Sequence, residues 1–86
     1  MSDIPNSDLV DLDVTIAQFI APRIKAFRER NEGWPCGFEN LAAWDAVLAD
    51  MQHAFETIAT DGMPVYEEHV ERGLDLFRKH LQDLWI

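Results

Sequence analysis

The feature that most constrains the fold is an unbroken apolar series between residues 40 and 60. Large apolar side chains recur there at intervals of three and four residues, which is the spacing of one face of an α-helix. The members are Leu41, Trp44, Leu48, Met51, Phe55 and Ile58. The series predicts a helix over residues 40–60, with Asn40 as its N-cap residue. Gly62 suits a left-handed cap at its C-terminal end.

A second series with the same spacing predicts another helix over residues 65–85, with Pro64 near its first position. Its members are Tyr66, Val70, Leu74, Phe77, Leu81 and Leu84. If the chain reverses at Gly62–Met63, residues whose numbers sum to about 125 face each other, for example Phe55 and Val70. Because both series fall into register across one short turn, they predict an antiparallel helical hairpin packed to its end at the C-terminus.

A further helix is predicted over residues 13–30, with Asp13 as its N-cap residue. Its apolar face is predicted to hold Ile16, Phe19, Ile20, Ile24 and Phe27. Pro22 removes the hydrogen bond to the Gln18 carbonyl, so the segment is either one kinked helix or two helices, the second beginning at Pro22. The apolar spacing keeps its phase across Pro22, which favours the kinked helix.

These segments predict an all-α fold, a small three-helix bundle. The second and third helices form the antiparallel hairpin, and the Pro-kinked first helix packs across it. Residues 31–39 hold two glycines and a proline and are predicted to form a loop. Residues 1–12 are predicted to be a flexible acidic N-terminal arm, and residues 13–86 a single helical domain. A length of 86 residues fits one domain with a thin core.

The stretch Trp44-Asp45-Ala46-Val47-Leu48-Ala49-Asp50-Met51, followed by Ala54-Phe55, resembles a family of short, uncharacterised proteins of tailed bacteriophages and prophages. Two flanking segments add to the resemblance. One is Leu12–Ile16 followed by Ala21–Phe27, and the other is Gly73–Phe77 followed by Leu81 and Leu84-Trp85. The resemblance implies a phage or prophage gene product that acts in a bacterial cytoplasm. It implies nothing about chemistry.

Composition excludes several classes of function. The formal charge is −9, from 16 Asp and Glu against 7 Lys and Arg, which argues against direct binding to nucleic acid or to anionic membranes. The sequence has neither an apolar run long enough to span a membrane nor the layout of a signal peptide, so a cytoplasmic protein is expected. The single Cys36 excludes an internal disulfide and a Cys-based zinc site. His53, His69 and His80 lack the spacing of a helical metal site.

Motifs for nucleotide binding or nucleophilic catalysis are also lacking. The sequence therefore predicts a protein that is not an enzyme, with no catalytic residue, no metal ligand and no cofactor.

The distribution of charge suggests a binding surface instead. Residues 31–75 contain ten acidic residues and one basic residue, Arg72, a local charge of −9. The candidate partner-binding residues are Glu67, Glu68, Glu71, Asp75, Asp45, Asp50 and Glu56. Like charges at helical spacing repel each other, so folding alone does not require these acidic residues to lie together. A binding role would explain them, and the solubility of the protein is the alternative explanation.

The predicted function is a small protein-binding module that inhibits a basic host protein, one that handles nucleic acid or serves in defence. Inhibition would occur by charge mimicry, as in anti-CRISPR or DNA-mimic proteins. The alternative is a self-associating structural protein of phage morphogenesis, a possible homodimer. Trp34 and Trp85, in a loop and at a terminus, would then form an aromatic interface.

Overall fold

The computed structural model describes residues 3–61 and 67–85, and every regular element in those residues is helical. The elements are α1 (Asn6–Val10), α2 (Leu12–Arg30), α3 (Leu41–Asp61), α4 (Glu68–His80) and a 3₁₀ turn (Leu81–Asp83). The predicted all-α class is confirmed. None of these helices combines the length and the apolar content needed to cross a membrane.

Helix α3 occupies the centre of the bundle, because α2 and α4 both pack against it. The buried core consists of Ala17, Ala21, Ile24, Trp44, Leu48, Met51, Ala54, Phe55 and Val70. Helix α1 buries no residue. It lies within the segment predicted to be an arm, and the division of the chain into arm and domain stays a prediction.

The α3–α4 pair is antiparallel, and its facing residues have numbers that sum to slightly less than the predicted 125. Arg72 lies 3.6 Å from Asp50, His69 stacks on His53 and His80 packs edge-on against Trp44. The residue numbers in these pairs sum to 122–124.

Phe55 has a ring contact outside this register, because it packs against Phe77 at 4.9 Å between centroids. Helical side chains lean toward the N-terminus of their own helix, so in an antiparallel pair these two rings lean toward each other.

Helix α2 is continuous through Pro22, so the alternative of two separate helices is wrong. The helix begins at Leu12, and its N-cap residue is Asp11, two residues before the predicted Asp13. The prediction that Asp13 caps the helix is therefore wrong. Asp13 lies in the first turn, where the helix dipole still favours a carboxylate.

The buried face of α2 differs from the prediction. Ala17, Ala21 and Ile24 face α3, whereas Ile16 and Phe19 are exposed. Small side chains allow two helix backbones to approach closely, and a series of large apolar residues does not include such alanines. The chain thus has a second apolar face on α2, which points away from the core.

Asn40 caps α3 as predicted, since its Oδ1 accepts a hydrogen bond from the Ala43 backbone N–H at 2.8 Å. The preceding loop contains Gly37, whose φ of +102° is in the range that favours glycine. Phe38 in the same loop packs edge-on against Trp44, with ring centroids 5.0 Å apart. The loop thereby covers one end of the core.

The C-terminal part of the predicted third helix is wrong in two respects. The α-helix ends at His80, and the residues that follow form the 3₁₀ turn. Leu81, predicted to be buried, is exposed. His80 Nδ1 lies 3.1 Å from Asp83 Oδ2, a contact that holds the chain in this tighter turn. The predicted roles of Gly62, Pro64 and Tyr66 lie outside the described residues.

Candidate protein-binding surface

The first two turns of α4 present three carboxylates on the surface. Glu68, Glu71 and Asp75 are exposed, and none forms an ion pair within residues 3–61 and 67–85. Their spacing of three and four residues places them along one stripe of the helix. Glu68 and Glu71 lie in the first turn, where the helix dipole stabilises an anion, but Asp75 lies beyond it. We call these three residues the α4 acidic stripe.

Other charges on α4 limit the extent of this stripe. The last turn carries Arg78 and Lys79, whose positive charges suit the C-terminal end of the helix dipole. Arg72 lies between the acidic residues in sequence, but its Nε contacts Asp50 Oδ2 at 3.6 Å. The negative potential of α4 is therefore concentrated in its N-terminal half.

The other four candidate acidic residues have partners inside the protein. Asp50 pairs with Arg72, and Glu67 Oε2 lies 3.3 Å from Nδ1 of His69. Glu56 accepts a hydrogen bond from the Gln52 amide at 2.9 Å. Asp45 belongs to the α2–α3 contact described next. The structure thus separates the seven candidates into three carboxylates without an ion pair, two that join helices (Asp45 and Asp50) and two with a local partner (Glu56 and Glu67).

Arg28 joins the C-terminal half of α2 to α3. Its Nε and Nη2 donate to the two carboxylate oxygens of Asp45 at 2.9 Å each, and its Nη1 donates to Gln52 Oε1 at 2.8 Å. The hydrogen bond from Arg28 is the main reason that the pKa of Asp45 is lowered. The same bond raises the pKa of Arg28. A fork of this geometry orients both helices, so Asp45 acts as a structural residue.

The two candidate interface tryptophans line one groove at the end of the bundle. Trp34 and Trp85 are both exposed, and Trp44 forms part of the groove wall although it is almost fully buried. The groove has a volume of about 500 Å³ and is also lined by Arg30, Asn31, Glu32, Gly33, Pro35, Cys36 and Asp83. The structure therefore brings together two aromatic residues that are far apart in the sequence, Trp34 in a loop and Trp85 near the C-terminus.

A histidine pair near the α4 N-terminus escaped the sequence analysis. The rings of His53 and His69 stack with centroids 4.2 Å apart and an angle of 22° between their planes. His69 Nε2 also lies 3.0 Å from Thr57 Oγ1. The predicted register, with residue numbers that sum to about 125, sets His53 opposite residue 72 and His69 opposite residue 56, so it does not predict this stack. Across residues 3–61 and 67–85, no three His, Cys, Asp or Glu side chains are grouped to hold a metal ion.

Comparison with family models, curated proteins and solved structures found no match. The resemblance to short phage proteins accordingly stays a prediction.

Proposed function

We propose that this chain is a protein-binding module whose α4 acidic stripe docks onto a positively charged surface of another protein. The observation that carries the proposal is the absence of ion pairs at Glu68, Glu71 and Asp75 within the described part of the chain. Three neighbouring carboxylates on one helix repel by a few tenths of a kcal/mol per pair. A basic partner would remove that repulsion and would be attracted over a distance by the net charge of −9.

The partner that best fits this chemistry is a bacterial protein that binds phosphate groups. In this mechanism the carboxylates occupy Lys and Arg sites that otherwise hold the phosphates of nucleic acid, so the chain inhibits by charge mimicry. The resemblance to phage proteins supports a target in nucleic-acid handling or host defence, in the cytoplasm of the infected cell. The proposed role requires neither direct nucleic-acid binding nor a membrane.

The test compares three immobilised proteins: the wild type, the stripe variant Glu68→Gln/Glu71→Gln/Asp75→Asn, and the control variant Glu29→Gln/Glu32→Gln/Glu39→Gln. Both variants lose three negative charges, but only the first alters the α4 acidic stripe. The probe is the fraction of a bacterial lysate that binds a phosphate-bearing cation-exchange resin. Wild type and control variant are expected to retain the same proteins at low salt and to release them to duplex DNA, whereas the stripe variant retains few.

Two results would contradict the proposal. One is equal retention by the wild type and the stripe variant. The other is retention that neither salt nor duplex DNA reduces, because binding would then depend on contacts other than these carboxylates.

The alternative function, self-association in a phage assembly, is favoured by the exposure of Trp34 and Trp85 on a common groove. In that case Trp34→Ala/Trp85→Ala reduces the mass of the particle measured by sedimentation. If the mass is unchanged, these tryptophans do not join copies of the chain.

A further inference from the structure

Helix α2 carries an apolar stripe that no other part of the described chain covers. Leu12, Ile16 and Phe19 follow one another at intervals of four and three residues, and their exposed fractions are 44%, 46% and 59%. They are distinct from the α2 face that packs on α3, which is formed by Ala17, Ala21 and Ile24. Helix α2 is therefore apolar on two faces, of which only one is buried by the fold.

Helix α1 adds two further exposed apolar side chains, Leu9 and Val10, which lie three and two positions before the start of α2. Several large exposed apolar side chains on one short segment are unusual on a monomer and indicate an interaction surface.

Charges along the same segment are distributed unevenly. Residues 1–22 carry four acidic and no basic residues, whereas residues 23–30 carry a net charge of +3. Asp8, Asp11 and Arg23 form no ion pair within the described residues. The Arg23 guanidinium lies 3.7 Å from the centre of the Phe19 ring, so a cation borders the apolar stripe at its C-terminal end.

We propose that a second copy of this chain covers the stripe, with the two α2 helices antiparallel. If the two-fold axis passes beside Ile16, Leu12 of each copy faces Phe19 of the other. The same register brings Arg23 of one copy to the N-terminal end of α2 in the other, beside Asp11 and close to α1, which carries Asp8. One arrangement thereby buries both apolar stripes and pairs the acidic end of each helix with the basic end of its neighbour.

A parallel pair does not have this complementarity. It would place Asp8 and Asp11 of the two copies beside each other, and like charges at a close interface are destabilising. The charge pattern thus favours a second copy in the antiparallel direction. This surface is separate from the α4 acidic stripe, so failure of either proposal leaves the other standing.

The first test is the mass of the particle in solution, measured by sedimentation at micromolar concentration. The wild type is expected at twice the 9.9 kDa of one chain and Phe19→Glu at 9.9 kDa. The matched control is Trp85→Glu, which places the same charge on another exposed aromatic residue and leaves the dimer intact. Circular dichroism checks that both variants keep the helical content of the wild type, as expected from the exposure of the two side chains.

The second test is cross-linking by disulfide formation in a Cys36→Ser background, which removes the exposed native thiol. Ile16→Cys is expected to oxidise to a covalent dimer, whereas Gln18→Cys, on another side of α2, remains reduced. A mixture of Leu12→Cys and Phe19→Cys chains is expected to form mixed dimers faster than Leu12→Cys forms dimers alone. Faster oxidation of Leu12→Cys alone would indicate a parallel pair and overturn the proposed register.

Two outcomes of the sedimentation test would overturn the proposal as a whole. One is a monomeric wild type. The other is a dimer that survives Phe19→Glu but dissociates on Trp85→Glu, which would assign self-association to the tryptophan groove.

A charge-swap experiment tests the ionic part of the contact. Arg23→Glu is expected to weaken the dimer, and Arg23→Glu/Asp8→Arg is expected to restore part of the loss because each copy then regains an opposite charge. If the dimer of the double variant is no more stable than the dimer of the single variant, the proposed pairing of these two positions is wrong.

Discussion

At the scale of single residues, Gly73 sets the distance between α3 and α4. A Cβ atom at this position would lie 2.6 Å from the Asp50 carbonyl oxygen and would also collide with Ala54 Cβ. Both neighbours belong to the buried side of α3, and a backbone oxygen cannot move without displacing the helix. Glycine therefore lowers the helix propensity at this position of α4 but permits the close contact between α4 and α3.

We expect Gly73→Ala to lower the free energy of unfolding. The substitution improves helix propensity by about 0.5–1 kcal/mol, but overpacking a tight contact costs about 1–3 kcal/mol. The net loss is measurable by urea denaturation. Gly33→Ala serves as a control, because nothing lies within 4 Å of its added Cβ. Equal stability of Gly73→Ala and the wild type would mean that α4 shifts freely on α3.

Asp45 provides a second prediction at this scale, concerning pH. Its pKa is lower in the folded protein than in the unfolded chain, mainly because Arg28 donates a hydrogen bond to it. The stability that it contributes is therefore present above its unfolded pKa of about 3.9 and is lost as the pH falls through the folded pKa. We expect Asp45→Asn to lower the free energy of unfolding at neutral pH by up to about 1 kcal/mol, since the pair is partly exposed and screened by solvent.

The measurement for Asp45 is thermal unfolding as a function of pH. The curves of the wild type and Asp45→Asn should differ at neutral pH and converge as the pH falls through the lowered pKa of the folded Asp45, where the carboxylate becomes protonated. The control Glu39→Gln alters an exposed carboxylate that makes no ion pair in the described residues and should show no such convergence. A constant difference at all pH values would indicate that Asp45 acts through packing instead of charge.

At the scale of helices, the spacing of apolar residues predicted more of this fold than the amino-acid composition did. The apolar series at residues 40–60 predicted α3 to within one residue at each end, and its register with the next series predicted the antiparallel pair. The predictions failed where small residues form the contact. Ala17 and Ala21 are not members of a series of large apolar residues, yet they lie on the face of α2 that is buried.

Pro22 lies inside α2, a position where a proline normally destabilises a helix. It is exposed within α2 and cannot donate to the Gln18 carbonyl, so it costs helix stability without contributing to the core. We expect Pro22→Ala to raise the free energy of unfolding by about 1–3 kcal/mol. Thermal unfolding followed by circular dichroism measures the gain. Gln18→Ala, one turn earlier, is the control and should change stability by only a few tenths of a kcal/mol. Destabilisation by Pro22→Ala would show that the native geometry of α2 depends on the proline.

At the scale of the whole molecule, the candidate site could be predicted only in part. The sequence identified the seven acidic residues but could not separate unpaired from paired ones, because pairing depends on contacts between helices. Arg28 and Asp45 are 17 positions apart, and Asp50 and Arg72 lie on different helices. The exposed α2 stripe was missed for a related reason. The sequence places Ile16 and Phe19 on the core face and Leu12 in the arm, since a periodic pattern does not reveal which of two faces is buried.

The excess of acidic residues should itself reduce the stability of the molecule. With a net charge of −9, repulsion between carboxylates opposes the compact state, and dissolved salt screens that repulsion. We expect the melting temperature to rise as sodium chloride is increased from low to moderate concentration. The variant Glu29→Gln/Glu32→Gln/Glu39→Gln reduces the net charge from −9 to −6, so its melting temperature should start higher and rise less with salt. A melting temperature that falls with salt would mean that internal ion pairs such as Arg28–Asp45 outweigh the repulsion. In that case the acidic surface would impose no stability cost that a function has to explain.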